Sequence, residues 1–384
     1  MLRLPDFPWD SLAPAKERAS AFSDPRLEGG AGVGIVDLSV GTPVDPTPTV
    51  VREALAGASD APGYPQTYGT PDLREAVAAW FASRRGVPDV DPDGVIPTVG
   101  SKELVAWLPL LMGLGPGDVV GHPRVAYPTY DVGARLAGAE PVPVDALTAL
   151  GPLTASTTPK LLWLNTPANP TGRVLGVEHL AKVVRWARDH GVVVASDECY
   201  AELDWRPRPE GSEEPPTTPS VLDPRVCEGS HESLLCVYST SKQSNLAGYR
   251  AAFVAGDPVL VRRLLEVRKH AGMMMPWPVQ RALVAALSDH AHVAAQRARY
   301  ASRRAALLPA LEAFGLRVDD SEAGLYLWAT AGEPGRRTVD RLAERGILVA
   351  PGDFYGPAGA EHVRVALTAT DERVGAAAHR LTGP

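Results

Sequence analysis

Short apolar runs rich in Val, Leu and Ile alternate with longer amphipathic segments through the middle of the chain. VIPTV (95–99) leads into SKELVAWLPLLMGL, and YRAAFVAG (249–256) leads into DPVLVRRLLEVRKHAG. KLLWL (160–164) stops at NTPANPTG and is followed by VEHLAKVVRWARDHG. VVVAS (192–196) stops at DECY, and LLCVYS (234–239) stops at TSKQ. Brief apolar runs closed by turn residues read as buried strands, and the amphipathic stretches behind them as helices. Strand, turn and helix in succession predict an α/β domain with a mostly parallel sheet.

The C-terminal third has a different rhythm. A helical stretch near 278–312 precedes strand-like GLYLWAT (324–330), a helix near 336–345, strand-like ILVAPG and HVRVALT, and a final helix near 371–381. This predicts a smaller α+β domain over 278–384, with a large domain over 46–277. Residues 1–45 form an arm that supplies part of the small domain. The segment 206–220, dense in Pro, Glu and Thr, reads as an exposed loop.

Composition narrows the class. The chain has 384 residues, 45% of them apolar, which suffices for a large domain and a smaller one with substantial cores. The net charge of −7 is spread along the chain with no basic block, so no nucleic-acid partner is expected. No apolar run approaches the roughly 20 residues that span a bilayer. Pro5, Asp6 and Pro8 interrupt the start where an export signal needs a continuous apolar stretch, so a cytoplasmic protein is expected. Cys199, Cys227 and Cys236 lack metal-site or CxxC spacing, which predicts reduced thiols and no metal.

The unusual polar residues, SK, NTPANPTG, DECY and STSK, sit where predicted strands end, the rim on which ligands of such sheets collect. Lysine is scarce here, six against thirty-two arginines, and one of the six, Lys242, lies between two serines at such an end. Held in a partly desolvated site near other cations, a lysine loses its proton and can capture an aldehyde. An isolated Ser-Lys pair reads equally as a surface loop, but its neighbours suit one ligand. Ser239, Ser241 and Arg250 offer two hydroxyls and a guanidinium to a phosphate. Gly100 and Ser101 open a helix whose free N–H groups make a second half of the cup, or an ordinary N-cap. Asp197 could pair with a protonated ring nitrogen, and Tyr200 could donate to a ring oxygen. Asn169, in a segment that also reads as a plain Asn/Pro turn, could do the same. Phosphate, aldehyde, pyridinium nitrogen and phenolic oxygen together describe pyridoxal 5′-phosphate, whose ring is an electron sink.

These motifs resemble those of the fold-type I, class I/II pyridoxal-phosphate aminotransferases along almost the whole chain. The likeness runs through VGTP (40–43), GYPQTYGTPDLREAV (63–77), VGSKE, AYPTYDVGARLAG (126–138), LNTPANPTG (164–172), SDECY, STSKQSNLAGYR and HVRVALT (362–368). The resemblance implies a large domain with a mostly parallel seven-stranded sheet flanked by helices. It implies that Lys242 carries the cofactor and shuttles the proton, that Asp197 pairs with the pyridine nitrogen, and that Tyr200 and Asn169 reach the ring hydroxyl. Ser101, Lys102 by its backbone amide, Ser239, Ser241 and Arg250 would hold the phosphate, with Tyr127 stacked on the ring. Tyr64 would cross to the other subunit's phosphate, making the active unit a homodimer. Arg364 would grip the substrate α-carboxylate, with Gly41 and Asn169 beside it.

More narrowly, RLPDFPWDSL, VRKHAGMMMPWPVQ (267–280) and ILVAPGDFYGPAGAEHVRVALTATDERV are similar to actinobacterial succinyldiaminopimelate aminotransferases, which use 2-oxoglutarate and glutamate. Arg268, Lys269 and His270, beside Met273, Met274 and Met275, are then candidates for the succinyl end, or simply the cationic last turn of a helix. Ala252 departs from the glycine usual in the family, and 206–220 looks like an insertion. An aminotransferase for aspartate, aromatic or branched-chain donors remains an alternative, as does a β-eliminating lyase on the same fold. A cofactor-binding transcriptional regulator would need an added helix-turn-helix that the chain has no room for.

Overall fold

The computed structural model describes residues 4–22, 34–150, 153–154, 156–207 and 218–383. Of the expected 206–220 loop, residues 208–217 lie outside the described residues. The large domain is built on seven strands: β1 (Val95–Val99), β2 (Val119–His122), β3 (Glu140–Pro143), β4 (Leu161–Asn165), β5 (Val193–Asp197), β6 (Leu234–Ser239) and β7 (Ala251–Gly256). Their order is β1-β7-β6-β5-β4-β2-β3, and only β7 runs antiparallel to its neighbours. The expected mostly parallel sheet is present. Strands β2 and β3 were not legible as apolar runs, because they are four residues long and β3, at the sheet edge, reads Glu-Pro-Val-Pro.

Successive side chains on a strand point to opposite faces. Leu161 and Trp163 therefore enter the core beneath α1 (Ser101–Leu111) and α2 (Thr129–Ala137). Leu162 and Leu164 enter the opposite core beneath α3 (Val177–Asp189). β6 follows the same rule, with Leu235 and Val237 on one side and Leu234, Cys236 and Tyr238 on the other. Each such side chain contributes on the order of 1.5–3 kcal/mol when fully buried, so register is firmly set. Register then lines up the strand ends: Asn165 pairs with Asp197, and Asp197 with Val237. The same sheet edge ends at Ser239. Helix α4 (Pro258–Ala271) closes the β1 end of the domain.

The expected single helix near 278–312 is two, α5 (Trp277–Ser288) and α6 (Ala291–Ala313). Asp289 breaks it by accepting the Ala291 N–H at 2.8 Å, a local bond that competes with helix propagation. Helix α5, beyond the expected boundary at 277, packs Val279, Ala282, Leu283, Ala286 and Leu287 into the large domain's core. The small domain's core starts with α6 and adds a four-stranded antiparallel sheet of β8 (Arg317–Asp319), β9 (Tyr326–Thr330), β10 (Ala350–Pro351) and β11 (His362–Ala366). Leu12, Ala15, Ala19, Val36 and Leu38 of the N-terminal arm belong to that same core. Among the described residues, no helix is long and apolar enough to cross a membrane.

Behind the rim of the large sheet lies an ion pair shielded from water. Arg85 and Glu198 meet at 2.8 Å with side chains 1% and 0% exposed, and Glu198 also accepts the Val221 N–H at 2.8 Å. Removing one partner leaves an uncompensated buried charge. Arg85→Ala is expected to lower the unfolding free energy by about 3–5 kcal/mol, whereas Arg85→Met with Glu198→Leu should lose much less. Urea denaturation measures both, and an Arg85→Ala protein as stable as the parent would refute the assignment.

Candidate active site

Asp197 ends β5 and is 8% exposed. Its Oδ2 accepts the Tyr130 hydroxyl at 2.9 Å and its Oδ1 accepts the Cys199 N–H at 3.2 Å. Both partners are neutral. Burial raises the carboxyl above its ordinary range, and these two donors only partly oppose that. A buried carboxylate without a cation of its own fits a protonated ring nitrogen as its missing partner. Tyr130 also packs tilted against Trp163 at 5.1 Å and meets Tyr127 edge-on at 6.1 Å. Tyr130 was not legible as a site residue, although it stands one helical turn after Tyr127 in AYPTY.

Lys242 occupies the turn after β6, part-buried, and its Nζ donates to the Gly41 carbonyl. Burial pulls its pKa down, and the cations Arg364 and Arg250 add to that, against an opposing effect of Tyr326. The result is a larger share of neutral, nucleophilic amine than a surface lysine has.

On the far side of the rim, the Ser239 and Ser241 hydroxyls lie 2.7 Å apart. Arg250 holds a left-handed backbone conformation (φ 58°), and its guanidinium donates to the Ala247 carbonyl at 2.6 Å. Gly100, with φ +79°, precedes α1, and a Cβ there would fall on the Arg250 guanidinium. Ser101 and Lys102 are the first residues of α1, whose N–H groups have no acceptor within the helix. Lys102 turns its side chain away, its ammonium 5.9 Å from the Phe7 ring and 6.0 Å from Tyr127. Hydroxyls, guanidinium and open helix end converge on space kept free by a glycine, which is what a phosphate needs.

The third cluster draws on both domains. Arg364, from β11 and 3% exposed, donates to Asn169 Oδ1 at 3.1 Å and to the Ser39 carbonyl at 2.7 Å. The Tyr326 ring lies 3.9 Å from its guanidinium carbon, and Tyr355 lies 5.0 Å away. Arg364 Nε is buried with no acceptor among the described residues, as are the Trp9 indole nitrogen and the Tyr355 hydroxyl. Asn169 is fixed by Asn165, which accepts its N–H at 2.7 Å while donating to the Asp197 carbonyl at 2.9 Å. Tyr200 meets Tyr326 hydroxyl to hydroxyl at 3.2 Å. Trp9, Tyr326 and Tyr355 were not singled out, since a local pattern, whether the strand of Tyr326 or the short helical turns of Trp9 and Tyr355, marks burial and not what the far end of a side chain touches.

Two candidates stand apart. Tyr64 is 95% exposed and, among the described residues, bonds to no site residue. Arg268 is not available to a ligand: its side chain is 0% exposed and bonds Glu103 at 2.7 and 3.1 Å, and Glu103 also accepts the Val99 N–H at 3.2 Å. That bond ties α4 to the start of α1 and corrects the expected role at the substrate's far end. Lys269 pairs with Glu266 on the helix surface.

The class I and II aminotransferase family pattern matches residues 33–381. The chain belongs to that family. It is 61% identical to a probable aminotransferase of Mycobacterium tuberculosis over 379 residues, 99% of this chain and 85% of that protein. It is 57% identical to the 4-dedimethylamino-4-oxo-anhydrotetracycline transaminase OxyQ of Streptomyces rimosus, across the full length of both. Its fold matches a probable N-succinyldiaminopimelate aminotransferase from Thermus thermophilus with a TM-score of 0.81, 30% identity and coverage of 97% and 99%.

The cofactor of this aminotransferase is pyridoxal 5′-phosphate, and its substrates are amino acids and oxo acids. The residues present fit the cofactor. Asp197 bonds to no cation among the described residues, Gly100 leaves room for the Arg250 guanidinium, and Lys242 feels the charges of both Arg250 and Arg364. When bound, the cofactor's ring draws off the electrons released as a bond to the substrate's α-carbon breaks.

Gly100→Ala tests the phosphate cup. The new methyl must push the Arg250 guanidinium aside, at a φ that disfavours side chains. Displacing one charge-assisted contact should weaken cofactor retention about ten- to a hundredfold, read by equilibrium dialysis. Unchanged retention would show that Arg250 does not serve the phosphate.

Proposed function

We propose that this aminotransferase moves an amino group between N-succinyl-L,L-2,6-diaminopimelate and 2-oxoglutarate as a homodimer with shared sites. The observation that carries the reading is Arg364. Its buried guanidinium keeps an unpaired Nε–H beside an aromatic wall, and a carboxylate docked side-on restores the missing acceptor. The name of the Thermus neighbour supports the succinylated donor. With Arg268 committed to Glu103, Lys102, between Phe7 and Tyr127, is the cation we assign to the succinyl carboxylate.

In this reading Lys242 holds the cofactor by its aldehyde carbon and, once displaced, carries the proton to and from the substrate's α-carbon. Asp197 keeps the ring nitrogen protonated, and Tyr130 holds Asp197. Ser101, Lys102 through its backbone amide, Ser239, Ser241 and Arg250 bind the phosphate, joined by the partner subunit's Tyr64. Tyr127 stacks on the ring, while Tyr200 and Asn169 reach its hydroxyl. Gly41 and Asn169 flank the carboxylate held by Arg364. The identity to OxyQ favours a second reading, in which the amino group passes to a large ring ketone and Phe7 and Trp9 face that ring system.

Purified enzyme with 2-oxoglutarate and a panel of donors decides between them, with glutamate release as readout. The succinylated donor should exceed aspartate in kcat/KM by at least about a hundredfold, within what a site built to bond a polar group reaches. A preference for aspartate, or for aromatic or branched-chain donors, would sink the substrate assignment. A ring ketone aminated faster than 2-oxoglutarate would favour the second reading.

The shared site is tested by mixing a Tyr64→Phe subunit with a Lys242→Ala subunit. If Tyr64 acts across the two-fold axis, each heterodimer carries one site with both lesions and one with neither. Activity per Tyr64→Phe subunit should then rise on mixing. No rise would place Tyr64 in its own subunit's site or in none.

A further inference from the structure

Tyr326 stands on β9 with its hydroxyl in the middle of the site, yet nothing above gives it a task. Its hydroxyl lies 3.2 Å from that of Tyr200, and its ring sits face-on to the Arg364 guanidinium at 3.9 Å. A Cβ at position 41 would fall on its hydroxyl oxygen, and the Gly41 carbonyl is the acceptor for Lys242. One phenol therefore abuts the carboxylate-binding arginine, the backbone that anchors the lysine, and Tyr200. A ring alone would serve as a platform for the guanidinium. The hydroxyl makes the closest of the clashes that exclude a side chain at position 41, and the ring's Cε1 and Cζ, at 2.8 Å, exclude it as well.

We propose that the Tyr326 hydroxyl is a positioning group that donates to Tyr200 and thereby sets how strongly Tyr200 donates to the cofactor's ring oxygen. This rests on the reading in which Tyr200 reaches that oxygen. A phenol has a single proton. Once Tyr200 commits its own to the ring oxygen, its 3.2 Å contact with Tyr326 can only run from Tyr326 to Tyr200. Each donor in such a chain polarises the next. Arg364 strengthens the first link, because a cation over the ring eases negative charge on its oxygen. Burial would raise the Tyr326 phenol, but Arg364 and Lys242 pull it below the ordinary range. The other titratable groups bearing on it are Tyr200, Asp197, Tyr300 and Tyr355.

The consequence has a sign. A donor to the ring oxygen stabilises its anionic form and weakens its hold on the proton it shares with the Lys242 nitrogen. That lowers the pH at which the bound cofactor loses this proton, and the loss is visible as a change in the holoenzyme's absorbance. Tyr326→Phe keeps the ring against Arg364 and removes only the hydroxyl. Its midpoint should rise by about half a pH unit, roughly a threefold change in the proton dissociation constant, the scale of one ordinary hydrogen bond.

Tyr200→Phe should raise the midpoint further, and the double variant should match Tyr200→Phe alone, because Tyr326 acts through Tyr200. A midpoint that moves in Tyr200→Phe but not in Tyr326→Phe overturns the relay and leaves the Tyr200 reading standing. Shifts that add in the double variant overturn it too, since they place Tyr326 directly on the cofactor. If neither variant moves the midpoint, the Tyr200 reading falls and the relay falls with it.

Discussion

A carboxylate at the end of a parallel strand, almost sealed from water and held by neutral donors from Tyr130 and Cys199, governs the arrangement around it. Asp197 cannot sit there charged unless its surroundings hold it in place and leave room for a cation from outside the chain. Tyr130 from α2 and the turn at Cys199 fix its two oxygens. Asn165 reaches across from the adjacent strand to its carbonyl and, with its other end, sets Asn169. Below it, Glu198 is neutralised by Arg85, so the segment that carries Asp197 is anchored by a second buried charge that is paired. The unpaired carboxylate thus directly precedes, in the chain, a residue held by a buried ion pair.

The two glycines do the complementary work of keeping space. Gly100 yields to the Arg250 guanidinium and Gly41 to the Tyr326 hydroxyl. At each, a side chain would displace a polar group from the place where a ligand needs it. Arg364 extends the same logic across the domains. It stands on the small domain's sheet, donates to Asn169 of the large domain, and donates to Ser39 of the N-terminal arm. Three separate stretches of chain must therefore be in position before its free Nε–H has a defined direction.

Legibility in the sequence followed the range of the interactions. Runs such as LLCVYS and VIPTV announced their strands because each is buried on both faces, and the turn residues after them marked the rim. Lys242, Ser239, Ser241, Arg250 and Asp197 stood out because they cluster at those ends. Strands β2 and β3 did not, both being four residues long and β3 partly exposed at the edge. Tyr130 and Tyr326 look like any core aromatic, and only tertiary packing reveals that their hydroxyls meet Asp197 and Tyr200. The break at Asp289 turns on a single side-chain bond, too small a signal against two helices of similar pattern.

Arg268 is the most instructive difference. On the page it ended a cationic helix turn beside flexible methionines, which suits either a ligand or a dipole. Its partner Glu103 lies 165 positions away, so the pairing is invisible to any local reading. The bond is not idle. Glu103 is in the first turn of α1 and reaches back to the Val99 N–H, so one carboxylate spends its two oxygens on α4 and on the end of β1. That fixes the direction in which the first N–H groups of α1 point, which is the direction of the phosphate cup. Arg268 therefore braces, through Glu103, the backbone on either side of Gly100 and Ser101. With Arg268 so committed, the proposed selection among amino donors rests instead on Lys102, Phe7 and Trp9, the ammonium 5.9 Å from the Phe7 ring and that ring packed against Trp9.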